Sequence, residues 1–110
     1  LSVSITPKST SSKILVTFGL DYGCSSGRYN NQVKVLEDST SIYETQARVY
    51  EAGEIHHLSS QIFSSPSTTS QLTYKFQAKV ESGTTFTVNR RGSDTNYGGS
   101  SFITVMEIAG

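Results

Sequence analysis

The sequence predicts an all-β fold, an antiparallel β-sandwich of jelly-roll or Greek-key type with about eight strands. Three observations point there. Apolar and polar residues alternate with period two along most of the chain, as in Leu72, Tyr74, Phe76, Ala78 and Val80 against Thr73, Lys75, Gln77 and Lys79. Turn signals rich in Gly, Pro, Asn, Asp and Ser recur at roughly 8 to 14 residues. No strand–helix–strand rhythm is present, which excludes a parallel α/β architecture.

In chain order, Leu1, Val3 and Ile5 alternate with Ser2, Ser4 and Thr6 in a short strand that Pro7 ends, because proline cannot donate to a ladder. Lys13 to Leu20 is the strongest apolar run, with Ile14, Val16, Phe18 and Leu20 on one face and Leu15 on the other. Two apolar faces place it at the centre of a sheet or against a partner subunit. Asp21 to Asn31 is expected to be the first long loop. Gln32 to Glu37 is a strand, and Asp38-Ser39-Thr40 a hairpin turn. Ser41 to Ala52 reads as strand, with a single helical turn as the alternative. After the break at Gly53 come strands over Ile55 to Phe63, Gln71 to Val80 and Thr85 to Asn89. A Gly- and Asp-rich loop over Arg90 to Ser100 then leads to a final strand from Phe102 to Ile108. The apolar positions of Gln71 to Gly110 are expected in the core.

A chain of 110 residues fits a single domain over residues 1–110. About three residues in ten are Ser or Thr and only 16% are charged, so hydroxyls keep the surface wet. The formal net charge is zero and the basic residues are scattered, which argues against nucleic acid as a partner. No apolar run approaches the ~20 residues of a spanning helix, so membrane insertion is not expected. With Cys24 as the only cysteine there is no internal disulfide.

Catalytic patterns are weak, and the chain is not expected to be an enzyme or to carry a cofactor or metal. His56 and His57 are the only histidines, and neighbours on a strand point to opposite faces. No nucleophile-elbow pattern is present. Glu37 with Asp38, and Glu51 with Glu54, sit at turns where solvated acids belong. Binding candidates are better. Tyr22, Arg28, Tyr29 and Asn30 lie in the first long loop, whose Tyr, Arg, Gly and Asn content suits a host or partner contact; an ordinary connection is the other reading. Arg90, Arg91, Asp94 and Tyr97 form a secondary candidate in the late loop. There, a salt bridge pinning the loop competes with a carbohydrate or carboxylate contact.

The segments SSPSTTSQLTYKFQAKV (Ser64 to Val80) and VNRRGSDTNYGGSSFITVMEIAG (Val88 to Gly110), together with LSVSITPKSTSSKILV (Leu1 to Val16), resemble a C-terminal β-domain of tailed-bacteriophage virion proteins. Such domains recur in phages of cyanobacteria and other aquatic bacteria. The carriers are the Ser-Pro-Ser-Thr-Thr turn before a Thr-Tyr-Lys strand, the Asn-Arg pair, the late Tyr-Gly and the terminal Ile-Thr-Val-Met-Glu-Ile. The resemblance implies the C-terminal part of a longer chain, located in the virion, at a tail-fibre or appendage tip that contacts a host receptor or glycan. It also implies a homotrimer docked onto other virion proteins. A capsid decoration (cement) protein that binds the major capsid protein is the alternative. The family carries no catalytic set that could be transferred.

Overall fold

The computed structural model describes residues 1–110, and the alternating segments form eight strands in two antiparallel sheets. They are β1 (Ser2–Ile5), β2 (Lys13–Cys24), β3 (Gln32–Glu37), β4 (Thr40–Gln46), β5 (His56–Ser64), β6 (Leu72–Lys79), β7 (Phe86–Val88) and β8 (Phe102–Ile108). One sheet runs β1-β6-β3-β4; in the other, β2 lies between β5 and the pair β7 and β8, which share its second edge. Apart from β3–β4 and β7–β8, every connection crosses from one sheet to the other.

The sheets close over the even-numbered side chains of β2. Ile14, Val16 and Phe18 are fully buried against Val35, Leu72 and Tyr74, while Leu20, Tyr22 and Cys24 pack with Val33, Ala47 and Val49. The Phe18 ring meets Tyr43 and Phe76 edge-on at 4.9 and 5.9 Å, a geometry that aromatic quadrupoles favour. Glu37 crosses the layers by accepting hydrogen bonds from Tyr74 Oη at 2.7 Å and from Ser64 Oγ. Burial, and secondarily this carboxylate, push the Tyr74 phenol well above its usual range.

Three expectations need correction. Asp21 to Cys24 is strand rather than loop: β2 pairs with β5 as far as Tyr22 and with β7 from Tyr22 to Cys24. The glycine that suggested a turn, Gly23, is there because Thr87, Arg90 and Gly92 press on its face of the strand; an added Cβ would sit 2.9 Å from all three. In Ser41 to Ala52 the ladder stops at Gln46, and only an isolated bridge from Val49 to Arg28 follows. Finally, several apolar residues of the last third are outside the core, because Val88, Phe102, Met106 and Ile108 are all exposed. Cys24 is fully buried and packs as a small apolar residue.

Candidate binding end and the two outer faces

The ends of β2, β4 and β6 and the starts of β3 and β5 meet at one end of the sandwich, and the predicted contact residues distribute around it unequally. Tyr22 is 5% exposed, so it is a core residue and not a loop contact. Its ring lies 5.4 Å from Phe86, nearly parallel, and 5.8 Å from His56. Tyr50 continues the series 6.1 Å from His56, and Tyr29 ends it 5.7 Å from Tyr50. The rings thus run from the core to the surface, where Tyr29 and Tyr50 are 52% and 56% exposed. Large half-exposed rings rooted in a packed stack present contact area at little further entropic cost.

The backbone that carries these tyrosines is held tightly. Arg28 N–H donates to the Val49 carbonyl at 2.6 Å and Val49 N–H to the Arg28 carbonyl at 2.8 Å. The Arg28 guanidinium lies 3.3 Å from Glu81, which ties this loop to the β6–β7 connection. Gly27 passes so close to the Tyr50 carbonyl that no side chain fits. Glu54 accepts from Tyr50 N–H at 3.0 Å and His56 Nε2 at 2.8 Å; the imidazole contact holds its carboxyl below the usual range. Asn30 accepts from Gln46 Nε2, whose other acceptor is the Tyr29 carbonyl.

The secondary loop is pinned internally. Arg91 makes a two-bond fork to Asp94 at 2.6 Å and lies 4.4 Å over the Tyr97 ring. The fork lowers the Asp94 pKa and raises that of Arg91. Both Arg91 and Asp94 are therefore engaged within the loop, whereas Tyr97 remains 61% exposed. Arg90 donates to the Arg91 carbonyl at 3.2 Å. Asn89, at φ 63°, joins this loop to the sheet: its N–H donates to Asp21 O at 2.8 Å, and its carbonyl and Oδ1 accept from Gly99 N–H and Ser101 Oγ. Asparagine tolerates that left-handed backbone better than most residues. The late loop also touches the segment that carries Tyr50, because Ser93 N–H donates to the Ala52 carbonyl at 2.9 Å.

The imidazoles diverge as adjacent strand residues must. His56 joins the aromatic stack, and His57 meets the Asp21 carboxylate on the outer face of β2. The His57 bond is the main cause that lowers the Asp21 pKa, and Ser100 N–H adds to it from 2.9 Å.

The outer sheet faces differ sharply. On the β1-β6-β3-β4 sheet, Ser2, Ser4, Thr73, Lys75, Gln77, Lys79, Gln32, Lys34, Glu44 and Gln46 point outward. On the opposite sheet Phe63, Leu15 and Met106 stand abreast across β5, β2 and β8, with Phe63 65% and Met106 56% exposed. Ile108 follows Met106 along β8 beside Lys13, whereas the polar row Gln61, Thr17 and Thr104 separates it from Phe102. Sequence reasoning had singled out Leu15 as facing away from the core, but it missed its neighbours and also Tyr50, Gln46 and Lys79. No protein-family model matches the chain, and no curated protein matches it.

Proposed function

We propose that the chain is a virion structural domain of the tailed-phage type, forming the tip of a tail fibre or appendage and contacting the host surface. The observation that carries this reading is the separation of two surfaces on one small sandwich. An apolar row on one sheet face is available for lateral association, and a loop end with exposed, well-rooted tyrosines lies apart from it. Leu15 and Cys24 are nine residues apart along β2, which is about 30 Å at strand rise.

The assembly proposed is a homotrimer. With β2 along a three-fold axis, the row Phe63, Leu15 and Met106 of each copy meets the same row of the other two. Burying a side chain of the Phe, Leu or Met type contributes roughly 1.5–3 kcal/mol, so three rows together form an adequate apolar plug. The resemblance in Ser64 to Val80 and Val88 to Gly110 supports the virion assignment.

Introducing Tyr29→Ala with Tyr50→Ala into a phage that carries this domain tests the reading. Virions that assemble normally but fail to adsorb are expected. Normal adsorption would contradict host contact through this end, and lost assembly with intact tails would point instead to a capsid cement protein.

A further inference from the structure

Beside Asn30, the polar sheet face is indented. A depression of about 360 Å³ is lined by Asn30, Asn31, Gln32, Gln46 and Lys79, and a second of about 350 Å³ adjoins it, sharing Gln32 and Lys79 and adding Lys34 and Gln77. No hydrophobic side chain lines the first, so an apolar peptide side chain or acyl chain would find nothing to bury against. No carboxylate lines either one. Glu44 lies alongside, where it accepts from Gln32 Nε2 and offsets Lys34 at 3.8 Å. Lys79 enters no ion pair.

The groups left without protein partners are Asn30 Nδ2, Gln32 Oε1, the Gln77 carboxamide and the Lys79 ammonium. A further donor lies in the wall. Asn31 is fully buried, its Oδ1 accepts from Glu81 N–H at 3.0 Å, and its Nδ2 has no acceptor. That donor is enclosed beneath the surface, so the groups a ligand meets are the exposed ones around it. Carboxamides offer a donor and an acceptor side by side, the pattern that neighbouring ring hydroxyls match.

We propose that this trough binds an anionic saccharide of the uronic-acid type. The sugar carboxylate pairs with the Lys79 ammonium, and the hydroxyls bond the carboxamides of Asn30, Gln32 and Gln77. This deepens the host-contact reading and rests on it, by naming the chemistry recognised next to Tyr29.

Trigalacturonate and trimannuronate titrated into the labelled protein, followed by two-dimensional amide NMR, provide the test. Either uronate is expected to shift the side-chain amide signals of Asn30, Asn31, Gln32 and Gln77, while neutral maltotriose does not. Lys79→Gln, at an exposed position, should weaken binding about tenfold, the effect of one lost charge-assisted contact. Gln77→Ala should weaken it severalfold without altering the fold. Absence of shifts with both uronates, equal binding of maltotriose, or unchanged affinity in Lys79→Gln would overturn the assignment. The adsorption experiment with Tyr29 and Tyr50 is read independently, so a failure of the saccharide assignment leaves host contact standing or falling by its own result.

Discussion

The two outer faces of the sandwich are built from the same period-two alternation, yet only the second carries a row of large apolar side chains, set beside Lys13, Thr17, Gln61 and Thr104. On β6 the outward set is Thr73, Lys75, Gln77 and Lys79, ordinary for a solvated sheet face. On β8 it is Phe102, Thr104, Met106 and Ile108, and Leu15 and Phe63 adjoin it across the ladders. A sheet face gains nothing by exposing Phe and Met to water, and this difference is what supports the proposed association through the second face. Alternation thus reports which residues share a face, and only the chemistry of both sets reports how many faces are buried.

The largest effect is expected at the apolar row. Phe63→Lys combined with Met106→Lys should convert a trimer into a folded monomer, seen as a threefold fall in mass by light scattering with an unchanged β-type circular dichroism spectrum. Both residues point away from the core, so unfolding instead would mean that the row supports the monomer. By contrast, Phe18→Ala on the inner face of β2, between the strands of those two residues, should cost about 3–5 kcal/mol in denaturant titrations, through lost burial and a cavity between Tyr43 and Phe76.

Acid sharpens the contrast in a different way. Asp21, held low by His57, and Glu107, held low mainly by the Lys8 N–H, tie β2 and β8 to neighbouring segments. Their folded pKa values lie below the unfolded ones. The stabilisation is therefore complete above the unfolded value near ~4 and is lost as pH falls through the folded values. Thermal midpoints should stay level from about pH 7 to about pH 5 and drop below about pH 4, and Asp21→Asn should flatten part of that drop. The smallest effect belongs to the polar face: Lys34→Ala removes an exposed pair to Glu44 and should change stability by less than ~0.5 kcal/mol.

Much of this architecture was legible in the residues. The strand positions follow from alternation, the central place of β2 from its two apolar faces, and the Arg91–Asp94 link from spacing. What was hidden has tertiary causes. Gly23 suggested a turn, whereas it lies in the last pairs of β2, where backbone from the β7–β8 loop crosses over it. Tyr22 was grouped with a loop for the same reason and proves to be core. Val49 and Tyr50 have strand chemistry, but Gly27 and Arg28 bind that segment as a loop and turn Tyr50 outward beside Tyr29. At Gly99 a side chain would strike the Asp21 carboxylate, which must reach Ser100 N–H; no local pattern announces that contact.

Multi-angle light scattering of the chain at micromolar concentration reports whether the row Phe63, Leu15 and Met106 assembles three copies, as proposed. A species of three times the 11.9 kDa chain mass is expected, reduced to one chain mass by Phe63→Lys with Met106→Lys. A wild-type protein that runs as a monomer, or a trimer indifferent to those two substitutions, would contradict that proposal.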